Sequence, residues 1–118
     1  MEEQHSKPFD TSYWEAALHA EARRREEKRR LLLSQVLEKL PRFFQGKRVQ
    51  SVYVTGSILR EGDFYPFSDV DIAVEGLEED YFTMLAQLED LLERQVDLIE
   101  LETSRVGDSI RDSGIRIL

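Results

Sequence analysis

The chain has no cysteine among its 118 residues. That excludes disulfides and thiolate metal sites and fits a reducing cytoplasm, where we expect the protein. Its two histidines, His5 and His19, stand alone without ligand spacing, so no imidazole metal centre is expected. No run of about 18 apolar residues occurs, so a membrane-spanning helix is not expected. The first residues, Met1 to His5, lack the basic start and apolar stretch of a secretory signal. A Walker-type Gly-x-x-x-x-Gly-Lys-Ser/Thr loop is missing too. Basic charge is scarce in one region: residues 49–118 hold 5 Lys+Arg against 16 Asp+Glu, while residues 1–48 hold 11 against 8. So acidic a region repels a phosphate backbone, which argues against general nucleic-acid binding. It can still handle one phosphate compound when cations stand between the carboxylates and the phosphates.

What is present fits one domain with an arm. Hydrophobic residues make up 41% of the chain, enough for a single core, and charged residues 34%, above the ~25% of an ordinary soluble protein. Residues 1–10 read as a loose tail. Ser12-Tyr13-Trp14-Glu15 has the form of a capping box and predicts a helix start. Leu33, Val36, Leu37 and Leu40 form one helical stripe. A single helix over about 12–40 is therefore expected, its second half packed on the domain and its first half projecting. Pro41 should end it or begin a short turn through Phe44. The run from Arg23 to Arg30 has no apolar member and reads as a solvated face; alternatively it meets an acidic partner or a second copy of the chain, with Tyr13 and Trp14 as anchors. The expected division is a tail and charged arm at 1–33 and a compact domain at 34–118.

Strands are expected near 50–55, at about 69–74 and at 96–101, with helices over about 78–94 and 103–112 and a last edge strand from Ile115 to Leu118. This order predicts an α/β (α+β) fold, a small mixed β-sheet with helices packed on it.

The chemistry concentrates in Gly56-Ser57, followed after eleven residues by Asp69-Val70-Asp71. On a strand, residues two apart share a face, so Asp69 and Asp71 project together while Val70 and Ile72 are buried. Two adjacent carboxylates repel unless protonated or bridged by a cation, and Mg²⁺ prefers such oxygen ligands. Asp97 opens the next predicted strand and joins the cluster if the two strands are neighbours. Three carboxylates can hold two ions roughly 3.5–4 Å apart for phosphoryl transfer. Gly56 lets backbone approach a phosphate, Ser57 offers a hydroxyl, and Arg60 lies one turn further on.

The run Val54-Thr55-Gly56-Ser57-Ile58-Leu59-Arg60-Glu61-Gly62, followed by Ser68-Asp69-Val70-Asp71-Ile72-Ala73-Val74, resembles the nucleotidyltransferase superfamily that includes DNA polymerase β. In size the chain is similar to the minimal nucleotidyltransferases paired with HEPN-type partners. The resemblance covers about residues 34–118. It implies that Gly56, Ser57, Arg60 and Ser68 bind the nucleotide and that Asp69, Asp71 and Asp97 hold two Mg²⁺ ions and carry catalysis. It further implies transfer of AMP from ATP to a hydroxyl, a tyrosine of a HEPN-type toxin, which makes the chain an antitoxin. Two features depart from the family pattern. Many members have a ten-residue spacer, and the usual Arg-x-Arg-Gly after Gly-Ser is here Ile58-Leu59-Arg60-Glu61-Gly62. A different class of function also fits the acidic region: an antitoxin that blocks a basic nuclease sterically, without chemistry. A nucleotide sensor without turnover is a weaker third reading.

Overall fold

The computed structural model describes residues 10–118; residues 1–9 of the expected tail, His5 among them, lie outside the described residues. Helix α1 runs unbroken over Ser12–Phe44. Strand β1 follows at Ser51–Thr55, then a 3₁₀ turn at Gly56–Leu59. Strand β2 spans Val70–Glu75, helix α2 Tyr81–Leu92 and strand β3 Val96–Glu100. A 3₁₀ turn at Leu101–Thr103, helix α3 at Gly107–Ser113 and strand β4 at Ile115–Arg116 complete the chain.

The sheet order is β3-β2-β1-β4. Strand β1 pairs antiparallel with β2 and with β4, while β2 and β3 are parallel. The sheet is thus mixed, in an α+β fold, as the sequence predicts. Alternation of side chains divides its two faces. Val52, Val54, Ile72, Val74 and Leu98 meet Val36, Leu40 and Phe44 of α1 and Met84, Leu88 and Leu92 of α2 in the main core. On the opposite face, Tyr53 and Ala73 form a small second cluster with Leu101 and Ile110. The 3₁₀ turn and α3 therefore roof only part of that face. The end carrying Thr55, Asp71 and Asp97 lies outside the roof.

Three local expectations need correction. Ser12 does not cap α1: its N–H and hydroxyl both donate to Asp10 Oδ1, at 3.0 and 2.8 Å, and Thr11 occupies the cap position with no side-chain bond. The nearby carboxylate has captured the hydroxyl that the capping box requires. Pro41 neither ends α1 nor starts a turn. A proline costs one helical hydrogen bond, and here the buried Leu40 and Phe44 on either side hold the last turn against the sheet. The arginine run is not wholly solvated, because Arg29 is only 8% exposed.

By its residue count α1 is about 50 Å long. Its buried residues all lie from Arg29 onward, while Tyr13, Trp14 and Leu18 stay exposed. The first half projects, and α1 crosses position 33 without interruption. Leu18→Ala should accordingly change unfolding free energy by less than about 0.5 kcal/mol in a denaturant titration, as at other exposed positions. A larger loss would mean that the arm packs on something.

β3 forms one border of the sheet. Its Val96 N–H donates to Glu89 Oε2 at 3.0 Å, and Tyr81 Oη donates to Leu98 O at 2.6 Å. Among the described residues, no helix is long and apolar enough to cross a membrane.

Candidate active site

Asp71 is the centre of the site. In the parallel ladder it stands beside Asp97, and in the antiparallel ladder beside Thr55. One register thus sets two carboxylates and the buried Thr55 side by side on one face of the sheet. Asp69 precedes the first residue of β2 rather than lying within it, and is exposed. Asp71 is half-buried. Burial first, then the charges of Asp97 and Asp69, push its carboxyl up to about 6, while Arg60 opposes the shift.

Gly56 lies against this carboxylate. Its φ is +84°, and a Cβ placed there would sit 2.0 Å from Asp71 Oδ2. Only glycine combines the left-handed backbone with so close an approach. The chain leaves β1 through this residue and at once turns into the 3₁₀ segment that carries Ser57. The Arg60 N–H donates to Ser57 O at 3.0 Å, and Arg60 Nε pairs with Asp63 at 2.9 Å on the exposed surface.

Ser68 is placed differently. Its Oγ accepts the Tyr65 N–H at 2.9 Å, and its N–H donates to Tyr65 O at 2.9 Å. The hydroxyl closes the turn that leads into Asp69. Arg94 fastens the same turn from the far side: Nε donates to Ser68 O at 3.0 Å, and Nη2 reaches the carbonyls of Tyr65 and Pro66, each at 2.9 Å. Arg94 comes just after Glu93, whose φ of 52° turns the chain out of α2. The sequence offers no signal for this role, because the carbonyls it meets lie almost thirty residues upstream.

The Gly-Ser turn has its own fastening. Arg29 of α1 donates from Nη1 to Ile58 O at 2.8 Å and from Nε to Glu26 Oε1 at 3.0 Å, and Nη2 pairs with the other Glu26 oxygen. The bonds to Arg29, helped by Arg30 and the Gly62 amide, bring the Glu26 carboxyl down to about 2. The sequence places Arg29 in a charged run read as solvated, and its burial against a turn about thirty residues away was not visible there. Arg29→Met removes a buried charge pair and leaves Ile58 O without its donor. It should cost about 2 kcal/mol of folding stability in chemical denaturation; wild-type stability would show that the pair is a surface ornament.

The donor set suits a hard divalent cation: carboxylate oxygens, and a central carboxylate whose charge its neighbours leave uncompensated. Among the described residues, no three His, Cys, Asp or Glu side chains are gathered as a ready-made metal cage. Asp71 and Asp97 adjoin, while Asp69 stands beyond the strand end.

The model of the family described as Polymerase beta, Nucleotidyltransferase matches residues 38–118. No curated protein matches the chain. Among solved structures, a crystal structure of a toxin–antitoxin with AMP-PNP is 22% identical, with a TM-score of 0.56 over 70% of this chain and 72% of that one. A crystal structure of the toxin–antitoxin MntA–HpeT, an aspartate-to-glutamate double mutant, is 19% identical, with a TM-score of 0.55 over 70% and 71% of the two chains. Those two likenesses are of fold. The family match takes in all four strands, the Gly-Ser turn and the three aspartates, well over half of the residues, and by it this chain belongs to the polymerase-β-type nucleotidyltransferases.

Proposed function

We propose that the chain is a Mg²⁺-dependent nucleotidyltransferase that moves AMP from ATP to a hydroxyl of a partner protein, a tyrosine of a HEPN-type toxin, and so acts as an antitoxin. The observation that carries this reading is the register that sets Asp71 beside Asp97, with Gly56 pressed against the Asp71 carboxylate. Asp71, Asp97 and Asp69 would hold the metal, which when bound neutralises charge on the phosphates. Gly56 and Ser57 bring backbone and hydroxyl to the nucleotide, and Arg60 adds a positive charge nearby. Asp97, more exposed than Asp71, would take the proton of the acceptor hydroxyl. Ser68 serves the site by shaping the turn before Asp69, which differs from direct nucleotide contact.

A protein acceptor is favoured by size. With α1 and α2 on one face of the sheet and α3 on part of the other, little of this chain remains to wall an acceptor pocket. The toxin–antitoxin nature of the two similar folds points the same way. Incubating the protein with ATP, Mg²⁺ and the product of the adjacent reading frame should add one or more AMP masses to that product by mass spectrometry. A product of unchanged mass with every nucleoside triphosphate would overturn the transfer reading.

Steric neutralisation is the second reading, favoured by the projecting arm with Tyr13, Trp14 and Leu18 exposed along it. Such a helix can grip a partner without chemistry. It also offers a contact through which two copies of this chain could join.

A further inference from the structure

A cavity of about 260 Å³ lies between α1 and the 64–66 loop. Asp71 projects from the other side of the sheet from the face that packs α1, so this cavity is not the carboxylate site. Arg25, Lys28 and Arg94 line it, together with the rings of Phe64 and Tyr65. In an acidic chain this convergence of cations is unusual, and among the described residues none of the three has a carboxylate partner. Glu21, within electrostatic range of Arg25 and Lys28, bonds Arg24 instead. Arg94 gives Nε and Nη2 to loop carbonyls and feels the charge of Asp69 without an ion pair to it. Arg25 Nε is buried without any hydrogen-bond partner. A desolvated guanidinium donor is costly to leave unpaired, and an oxyanion is its natural complement.

The wall next to the cations is aromatic. The Arg25 guanidinium lies 4.8 Å from the Tyr65 ring centroid, and Tyr65 stacks on Phe67 at 5.5 Å with their planes 7° apart. Phe67 is 81% exposed. Tyr65 lines the cavity, and Phe67, outside that lining, carries the stack on to the open surface, so a ring face adjoins the cationic hollow, the pairing of features that binds a base with its phosphate. An acidic peptide would use the cations and leave the rings idle.

We infer that this cavity is a nucleotide site separate from the carboxylate face, which takes a phosphate between Arg25, Lys28 and Arg94 and lays the attached base against the Tyr65–Phe67 pair. The ligand is a 5′-phosphorylated nucleotide, either free or at the end of an RNA strand. The site does not depend on the transfer chemistry proposed above, and its test omits divalent metal.

The whole protein is titrated calorimetrically in EDTA with AMP, adenosine, ribose 5-phosphate and a 5′-phosphorylated RNA trinucleotide. AMP should bind saturably and more tightly than adenosine. The double variant Arg25→Gln/Lys28→Gln, at a half-buried and an exposed position of α1 and with helix content and unfolding checked by circular dichroism, should weaken AMP at least about tenfold. Phe67→Ala should reduce AMP to the affinity of ribose 5-phosphate. A trinucleotide that binds more tightly than AMP makes an RNA end the ligand; equal affinity makes it the free nucleotide. Absence of saturable binding, adenosine equal to AMP, a double variant equal to wild type, or displacement by a glutamate-rich peptide at lower concentration than AMP would each overturn the site.

Discussion

Asp71→Asn should lower label transfer from ATP by at least about 10³-fold while making the metal-free protein more stable. The two effects have one cause. Asp71 is half-buried beside two like charges, and its carboxyl is raised to about 6. A carboxyl in an unfolded chain ionises near pH 4. The folded form therefore binds the proton more tightly, so the ionised side chain costs stability at pH 7. That cost is relieved as pH falls from about 6 towards 4. Asparagine removes it at every pH. The gain at pH 7 should be about 1 kcal/mol, because solvent around the partly open carboxyl screens much of the repulsion. Thermal unfolding in EDTA at pH 7 and 5 checks the sign: the variant should be the more stable at pH 7, and the difference should narrow at pH 5. If the variant is instead less stable at pH 7, Asp71 is held by interactions other than repulsion. The same variant separates the two readings of function. If transfer is the mechanism, it should still bind the partner but no longer silence it; if occlusion is the mechanism, neutralisation should survive.

Gly56→Ala is the second large effect. The methyl group would sit 2.0 Å from Asp71 Oδ2, and the φ of +84° already disfavours any L side chain. Strain and collision together should cost about 3 kcal/mol. Relief requires the Asp71 carboxylate or the Gly-Ser turn to shift, so transfer should collapse even under conditions where the variant remains folded. Denaturant unfolding and transfer measured on the same preparation test this. A stable, active alanine variant would mean that the turn sits further from Asp71 than described. Gly46 and Gly62 also have positive φ, but a Cβ there meets nothing within 4 Å. Alanine at those positions should cost backbone strain alone, which makes them internal controls.

The strands and α2 were legible because their apolar residues repeat at the period of their element, as Val70, Ile72 and Val74 do. The pairing of Asp71 with Asp97 was legible only as a condition, since it depends on which strands are neighbours, and spacing along one chain does not encode register. Thr55 escaped notice for the same reason: its place beside Asp71 comes from an antiparallel alignment. Arg29 and Arg94 were hidden more deeply. Each looks like a surface residue in a charged stretch, and each bonds backbone carbonyls, which carry no side-chain signature. The capping box at Ser12 was misleading because Asp10, two residues upstream, competes for the same hydroxyl. Local patterns thus located the elements, while the long-range polar bonds that hold the two functional turns in place needed coordinates.

The border formed by β3 sets how this small sheet can associate. Strand edges with free amides and carbonyls recruit further strands. Here the Glu89 carboxylate occupies the Val96 amide and the Tyr81 hydroxyl occupies the Leu98 carbonyl. Both side chains come from α2, so the helix that packs the core also seals the seam. Those two edge groups are closed to a further strand, and the other border, β4, has only two residues, so helix and loop surfaces offer the larger ground for assembly.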